Sequence, residues 1–274
     1  MIIDSHVHFW NYDRVRDSWI TEDMNVIRRD FLPEDIAHIL ARNEVSGCIA
    51  VQADQSETET QFLLNLTDKN NFIKGVVGWA DLKNQEIERQ LEDYSGIKKL
   101  KGFRHISEGE TEGFLVQRAF INGVKALHQY GFTYDILIKQ HQLSEAIDLV
   151  DKVPGQPFVL DHCGKPDIKG NNILGWAENI KVIAQNPDVY CKLSGLLTQC
   201  HWQNWGEKEI FNCLDIIFDN FSERRVLFGS DWPVMLLSGS YTQWLDLIKK
   251  YTSDFPEKHK ENIFGGNASR FYNL

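Results

Sequence analysis

Short apolar runs alternate with amphipathic stretches along the whole chain, and no Pro/Gly/Ser-rich linker, low-complexity tract or short repeat interrupts them. The runs predict strands at Ile2–His6, Val45–Gln52, Phe72–Asp81, Ile97–Ile106, Phe132–Ile138, Phe158–His162, Val189–Leu193 and Val226–Ser230. Helical spacing fills the intervals. Pro33 stands in a first-turn position ahead of Ile36, Ile39 and Leu40. Ser56 and Glu59 form an S-x-x-E capping pattern before Phe62, Leu63 and Leu66. Asn84 can cap a segment carrying Ile87 and Leu91 that stops before Gly96, and Phe114–Tyr130 is stopped by Gly131. Leu143–Val153, Ile173–Asn186, Glu207–Phe221 and Thr242–Tyr251 complete the set.

Eight strands, each followed by a helix, is the count of a single-domain (β/α)8 barrel spanning residues 1–274. A doubly wound sheet has the same alternation but usually announces a nucleotide loop after its first strand. Neither G-x-G-x-x-G nor G-x-x-x-x-G-K-[ST] occurs. Hydrophobic content of 42% and charged content of 25% are those of an ordinary globular protein. With 29 Lys and Arg against 39 Asp and Glu, the net charge of −10 gives a nucleic acid or acidic membrane no electrostatic footprint. No apolar run is long enough for a membrane span. The opening MIIDSHVHFW lacks the basic region of a secretory leader. Five scattered cysteines with no C-x-x-C spacing argue against a disulfide framework and suit a reducing cytoplasm. A homo-oligomer is left open.

In such a barrel the C-terminal strand ends form the active face. Strand one ends His6-Val7-His8, and a period of two puts both histidines on the side of Asp4, with Ser5 and Val7 facing the helices. Strand six ends Leu160-Asp161-His162, so Leu160 and His162 share a side while Asp161 has the wrong parity for the interior. Strand eight ends in Ser230-Asp231, with Asp231 in register with Leu227 and Gly229. Two same-side histidines, a third histidine and an aspartate suit one first-row ion such as zinc, manganese or iron. The competing reading is hydrogen-bonded polar residues at strand ends. Arg104 and Lys139 are strand-end cations suited to substrate hydroxyls or a carboxylate, or to pairing with loop carboxylates, and Lys165 shares that ambiguity. His105 joins them as a candidate substrate contact, and Trp79 and Trp232 are the tryptophans expected to line a pocket. The loop over residues 196–206, with His201, is the expected substrate-shaping segment.

Six blocks together carry a resemblance: IIDSHVHFW at the start, GFRH at 102–105, VLDHCGKP at 159–166, CKLSG at 191–195, VLFGSDWPV at 226–234 and GGNASRFY near the end. They resemble the amidohydrolase superfamily, and within it the branch of sugar lactonases and 2-pyrone-4,6-dicarboxylate lactonase. The resemblance implies a distorted (β/α)8 barrel that hydrolyses a lactone, most readily a sugar lactone. It implies His6, His8, His162 and Asp231 as the metal-site residues, with Asp231 as general base and proton shuttle and His162 as a catalytic partner. Strand four carries Arg104 and His105 where two-metal members place a bridging residue, so at most one divalent ion is expected, zinc first. Some lactonases that resemble this branch work without metal. Two rival readings stay open: metal-dependent amide hydrolysis or aromatic-acid decarboxylation on the same scaffold, and non-catalytic sugar binding.

Overall fold

The computed structural model describes residues 1–202 and 204–274. Eight parallel strands follow one another in sequence order: β1 (Ile2–Val7), β2 (Val45–Val51), β3 (Ile73–Gly78), β4 (Leu100–Ile106), β5 (Thr133–Leu137), β6 (Phe158–Leu160), β7 (Val189–Leu193) and β8 (Val226–Phe228). The circle closes through two bonds: Asp231 N–H donates to His6 O (2.9 Å) and His8 N–H donates to Trp232 O (2.7 Å). Closure and site are therefore built from the same few residues.

Between the strands run α1 (Pro33–Arg42), α2 (Glu57–Lys69), α3 (Ile87–Ser95), α4 (Arg118–Gln129), α5 (Leu143–Lys152), α6 (Leu174–Ile183), α7 (Glu207–Phe221) and α8 (Tyr241–Tyr251). Ser56 caps α2 as its sequence indicates, accepting the Glu59 N–H at 3.1 Å. The Glu59 carboxylate does not complete the box and instead accepts the Ala53 N–H at 3.0 Å. The helix expected from Phe114 begins only at Arg118, because Phe114 is stacked on His105 and Glu145 holds the Gly113 N–H.

The core has two layers. Ile3, Ile49, Val51, Val77, Val159 and Leu227 fill the barrel, while alternate residues such as Val7, Phe103, Leu160 and Phe228 pack outward against the helices. Two short helices follow α8: α9 (Glu257–Glu261) and α10 (Asn267–Phe271). The GGNASRFY segment is thereby explained as a plug. Asn267 Nδ2 donates to Val226 O (2.7 Å) and Glu223 O (2.8 Å), and Phe271 and Tyr272 join the interior cluster. A Cβ on Gly265 would lie 2.6 Å from Met1 O, so only glycine lets this segment cross the start of β1. Among the described residues no helix is long and apolar enough to cross a membrane.

Four strand boundaries differ from the sequence expectation by more than one residue. β3 stops at Gly78 rather than Asp81, and β4 starts at Leu100 rather than Ile97. β6 and β8 stop at Leu160 and Phe228, short of His162 and Ser230. The last two differences decide how the site is made.

Candidate active site

β1 delivers two histidines through an irregularity. Its pairing with β2 shifts register between Asp4 and Val7, which breaks the simple alternation. Asp4 therefore does not share the side of His6 and His8. Its carboxylate accepts the Tyr241 hydroxyl of α8 at 3.0 Å and the N–H groups of His6 (3.0 Å) and Ser230 (2.9 Å). It braces the two strand ends from the helix side.

His162 reaches the mouth by a different route from the one strand parity suggests. Leu160 packs outward in the helix-facing layer, and Asp161, expected to point away, lies in the interior. The chain then turns, with left-handed backbone at His162 (φ 54°) and Cys163 (φ 55°). Gly195 makes room: a Cβ there would lie 2.6 Å from His162 Nδ1, and its own φ is 65°. Asp231 also follows its strand in a left-handed conformation, φ 62°.

The result is a convergent set. His6 and His8 Nε2 are 3.1 Å apart. Asp231 Oδ1 lies 3.3 Å from His8 Nε2, 3.8 Å from His6 Nε2 and 3.9 Å from His162 Nε2. His8 Nδ1 contacts the Val51 carbonyl at 2.8 Å, so it carries the proton and leaves Nε2 as a lone pair. His162 Nδ1 pairs with Ser194 Oγ at 2.9 Å.

Beneath the histidines lies a buried charge network. Lys192 on β7 is fully buried, 2.5 Å from Asp135, 3.0 Å from Asp161 and 3.2 Å from His6 Nδ1. Arg104 donates to Asp161 at 3.0 Å, and Tyr272 donates to Asp135 at 2.9 Å. Lys192, Asp135 and Tyr272 are absent from the sequence candidates. Their signal was charge inside otherwise apolar strands, in YDIL and YCKL.

Burial and this network set the protonation states. Burial drives His6 well below its ordinary range, with Asp161 opposing and Lys192 reinforcing. Burial likewise lowers His8, against its bond to Asp231, and brings His162 down to about 4. Burial alone would raise Asp231, but His162 and the His8 hydrogen bond outweigh it and leave the carboxyl below its usual value. Asp161 is pulled well down against its burial by Lys192 and His6, whereas burial lifts Asp135 to about 6. Near neutrality the mouth thus holds an ionised carboxylate among neutral imidazoles.

Above the set opens a cleft of about 270 Å³ whose lining includes His8, Arg104, His162, Asp231, Trp10 and Trp19. The remaining sequence candidates fall elsewhere. His105 turns outward against Phe114, and Trp79 Nε1 donates to it at 3.3 Å. Trp232 is buried between Phe9 and Phe31 and forms no pocket wall. Lys139 is exposed and lines an adjoining groove with Gln199, while His201 is exposed on its loop. Among the described residues the cleft is shaped by the β1–α1 connection, which carries Trp10 and Trp19. Gln203, in the loop expected to shape the cleft, lies outside the described residues.

The amidohydrolase family model matches residues 3–274. The chain belongs to this family. An L-fucono-1,5-lactonase of Burkholderia multivorans is 34% identical over 99% of this chain and 96% of its own length. A second L-fucono-1,5-lactonase, from Burkholderia ambifaria, is 28% identical over 99% of this chain and 95% of its own. A crystal structure of an amidohydrolase from Burkholderia multivorans with bound zinc, 34% identical, superposes with a TM-score of 0.96, covering 100% of this chain and 99% of that one.

The donors of this amidohydrolase fit one divalent ion. His6 Nε2, His8 Nε2 and Asp231 Oδ1 face a common point, and Asp161, 3.4 Å from His6 Nδ1, can accept the proton that a ligating His6 must keep there. A second set of potential ligands, His6, Asp161 and His162, overlaps the first. Its carboxylate is already engaged by Lys192 and Arg104. The donor chemistry therefore favours one ion over two.

Proposed function

We propose that this amidohydrolase opens a small sugar lactone, releasing the open-chain aldonic acid. The observation that carries the reading is the Asp231 carboxylate held 3.3 to 3.9 Å from the Nε2 atoms of His6, His8 and His162 at the floor of a cleft. The full-length similarity to two L-fucono-1,5-lactonases supports the same reaction class.

Asp231 takes the proton from the attacking water, since its lowered basicity still suffices for a proton released as the new bond forms. The carboxylic acid so formed is placed to return that proton to the departing ring oxygen. His162, kept neutral by burial, accepts the Ser194 hydroxyl at Nδ1 and turns an Nε2–H toward the developing oxyanion. Arg104 and Lys192 hold His6 and Asp161 in place from below. A divalent ion, zinc first among candidates, would be held by His6, His8 and Asp231 and would polarise the lactone carbonyl as a Lewis acid. All five cysteines are buried thiols, which suits action in the cytoplasm.

Acid release across a stereochemical panel of five- and six-carbon aldonolactones tests the reading. Turnover of at least one is expected. No turnover across the panel, alongside activity on an amide or an aromatic acid, would overturn it.

A further inference from the structure

Two cations line the cleft among the described residues, Arg104 and Lys165. Arg104 has no donor left for a ligand. Its Nε and Nη2 bind the Gln52 side chain and carbonyl, and its Nη1 binds Asp161 and lies 3.2 Å from His6 Nε2. These contacts account for all five guanidinium N–H bonds. Lys165 forms an ion pair with Glu108, and both side chains are about four-fifths buried. The pair lines both the cleft and the adjoining groove that contains Lys139 and His141, so it forms the partition between them. The turn that aims His162 also sets Lys165, whose φ is 50°. Trp10, Trp19, Leu137 and Val234 leave the rest of the wall largely apolar.

We propose that Glu108 is a specificity-determining residue that restricts the cleft to uncharged lactones. By holding Lys165 it removes the cation that a substrate carboxylate could reach. Its carboxylate also offers acceptors to ring hydroxyls at the polar edge, and the tryptophan side takes the apolar face of the ring. A sugar lactone meets these conditions and a dicarboxylate lactone does not. This inference rests on the lactonase reading for the identity of the reaction, but the charge selection is a property of the cleft alone.

The test uses isophthalate, a planar dicarboxylate and weak chelator, titrated calorimetrically into the native protein and into Glu108→Gln. Native protein should bind it weakly or not at all. Glu108→Gln should bind it on the order of tenfold or more tighter, the scale of one freed charge-assisted hydrogen bond. The double variant Glu108→Gln/Lys165→Met should lose that gain. With an aldonolactone, Glu108→Gln should raise KM with kcat largely kept. If glutamine is not tolerated, Glu108→Ser carries the same expectation. Equal isophthalate affinity in native and variant proteins would overturn the proposal. Absence of aldonolactone turnover with the isophthalate gain intact would instead remove the lactonase reading and leave the charge selection standing.

Discussion

His6 and His8 present their Nε2 atoms to each other at 3.1 Å, although His8 has committed its ring proton to the Val51 carbonyl. One of two conditions relieves two facing lone pairs. Either Arg104 Nη1 donates to His6 Nε2 at 3.2 Å, or a cation sits between the two histidines and takes both lone pairs; in each case the His6 proton lies on Nδ1, on the Asp161 side. The site can exist in both forms, and they differ by the ion and by whether Arg104 holds His6 Nε2.

Purified protein saturated with zinc should therefore contain one tightly held ion per chain by elemental analysis. His8→Ala should lose it, since a neutral imidazole of fixed tautomer is removed. Two tightly held ions per active chain would show that Lys192 and Arg104 do not preempt Asp161. Full turnover after exhaustive chelation would assign His6 and His8 to hydrogen bonding alone.

Lys192 is expected to matter for folding. Replacing it with methionine leaves Asp135 and Asp161 buried without their shared cation, a loss on the order of 3–5 kcal/mol. Adding Asp135→Asn should recover part of that loss. Arg104→Ala should behave similarly, because Arg104 is only 3% exposed and holds Asp161, rather than standing at the rim as its strand-end position suggests. Urea unfolding of the variants measures this. Native-like midpoints for Lys192→Met and Arg104→Ala would contradict the network's structural role.

Much of the architecture was legible in the chain. Every strand lay where an apolar run predicted it, because each is buried on both faces. The errors cluster where non-glycine residues adopt left-handed backbone. At His162 the chain leaves β6 through such a turn, so strand parity predicted its arrival at the mouth for a reason that does not hold, whereas Asp231 keeps the parity of interior Leu227 although its own backbone is left-handed. Asp161 lies inside by ordinary alternation after interior Val159 and outward Leu160, so the expectation had the phase of β6 reversed. The tryptophans were misassigned because an indole's identity carries no direction. The clearer signal was the long connection over residues 8–32, which carries Trp10 and Trp19 and is longer than barrel loops usually are. Lys192 and Asp135 were readable as charges inside apolar strands, a pattern that only a paired interior tolerates.

Glu59, which accepts the Ala53 N–H, provides a pH test outside the quartet. It is 5% exposed, and burial raises its carboxyl from 4.5 to about 7. A raised folded-state value means that the native protein binds the proton more tightly than the unfolded chain. Its contribution is then fully present below pH 4.5 and is lost as pH rises to about 7, a change on the order of 3 kcal/mol. Glu59→Gln should remove this dependence, so its melting temperature should gain on the native protein between pH 4.5 and 7. A constant difference across that window would mean that Glu59 is ionised in the folded protein throughout.

Asp231 carries the central claim, and one substitution addresses it. Asn keeps the shape of the side chain and the backbone bond to His6 O while removing the basic oxygen. The decisive measurement is kcat for acid release from the best aldonolactone by Asp231→Asn, with folding and metal content determined on the same sample. A folded variant should lose on the order of 10²-fold or more in turnover, the scale of a positioned general base. A folded Asp231→Asn protein with near-native kcat would contradict the account, because another residue would then activate the water.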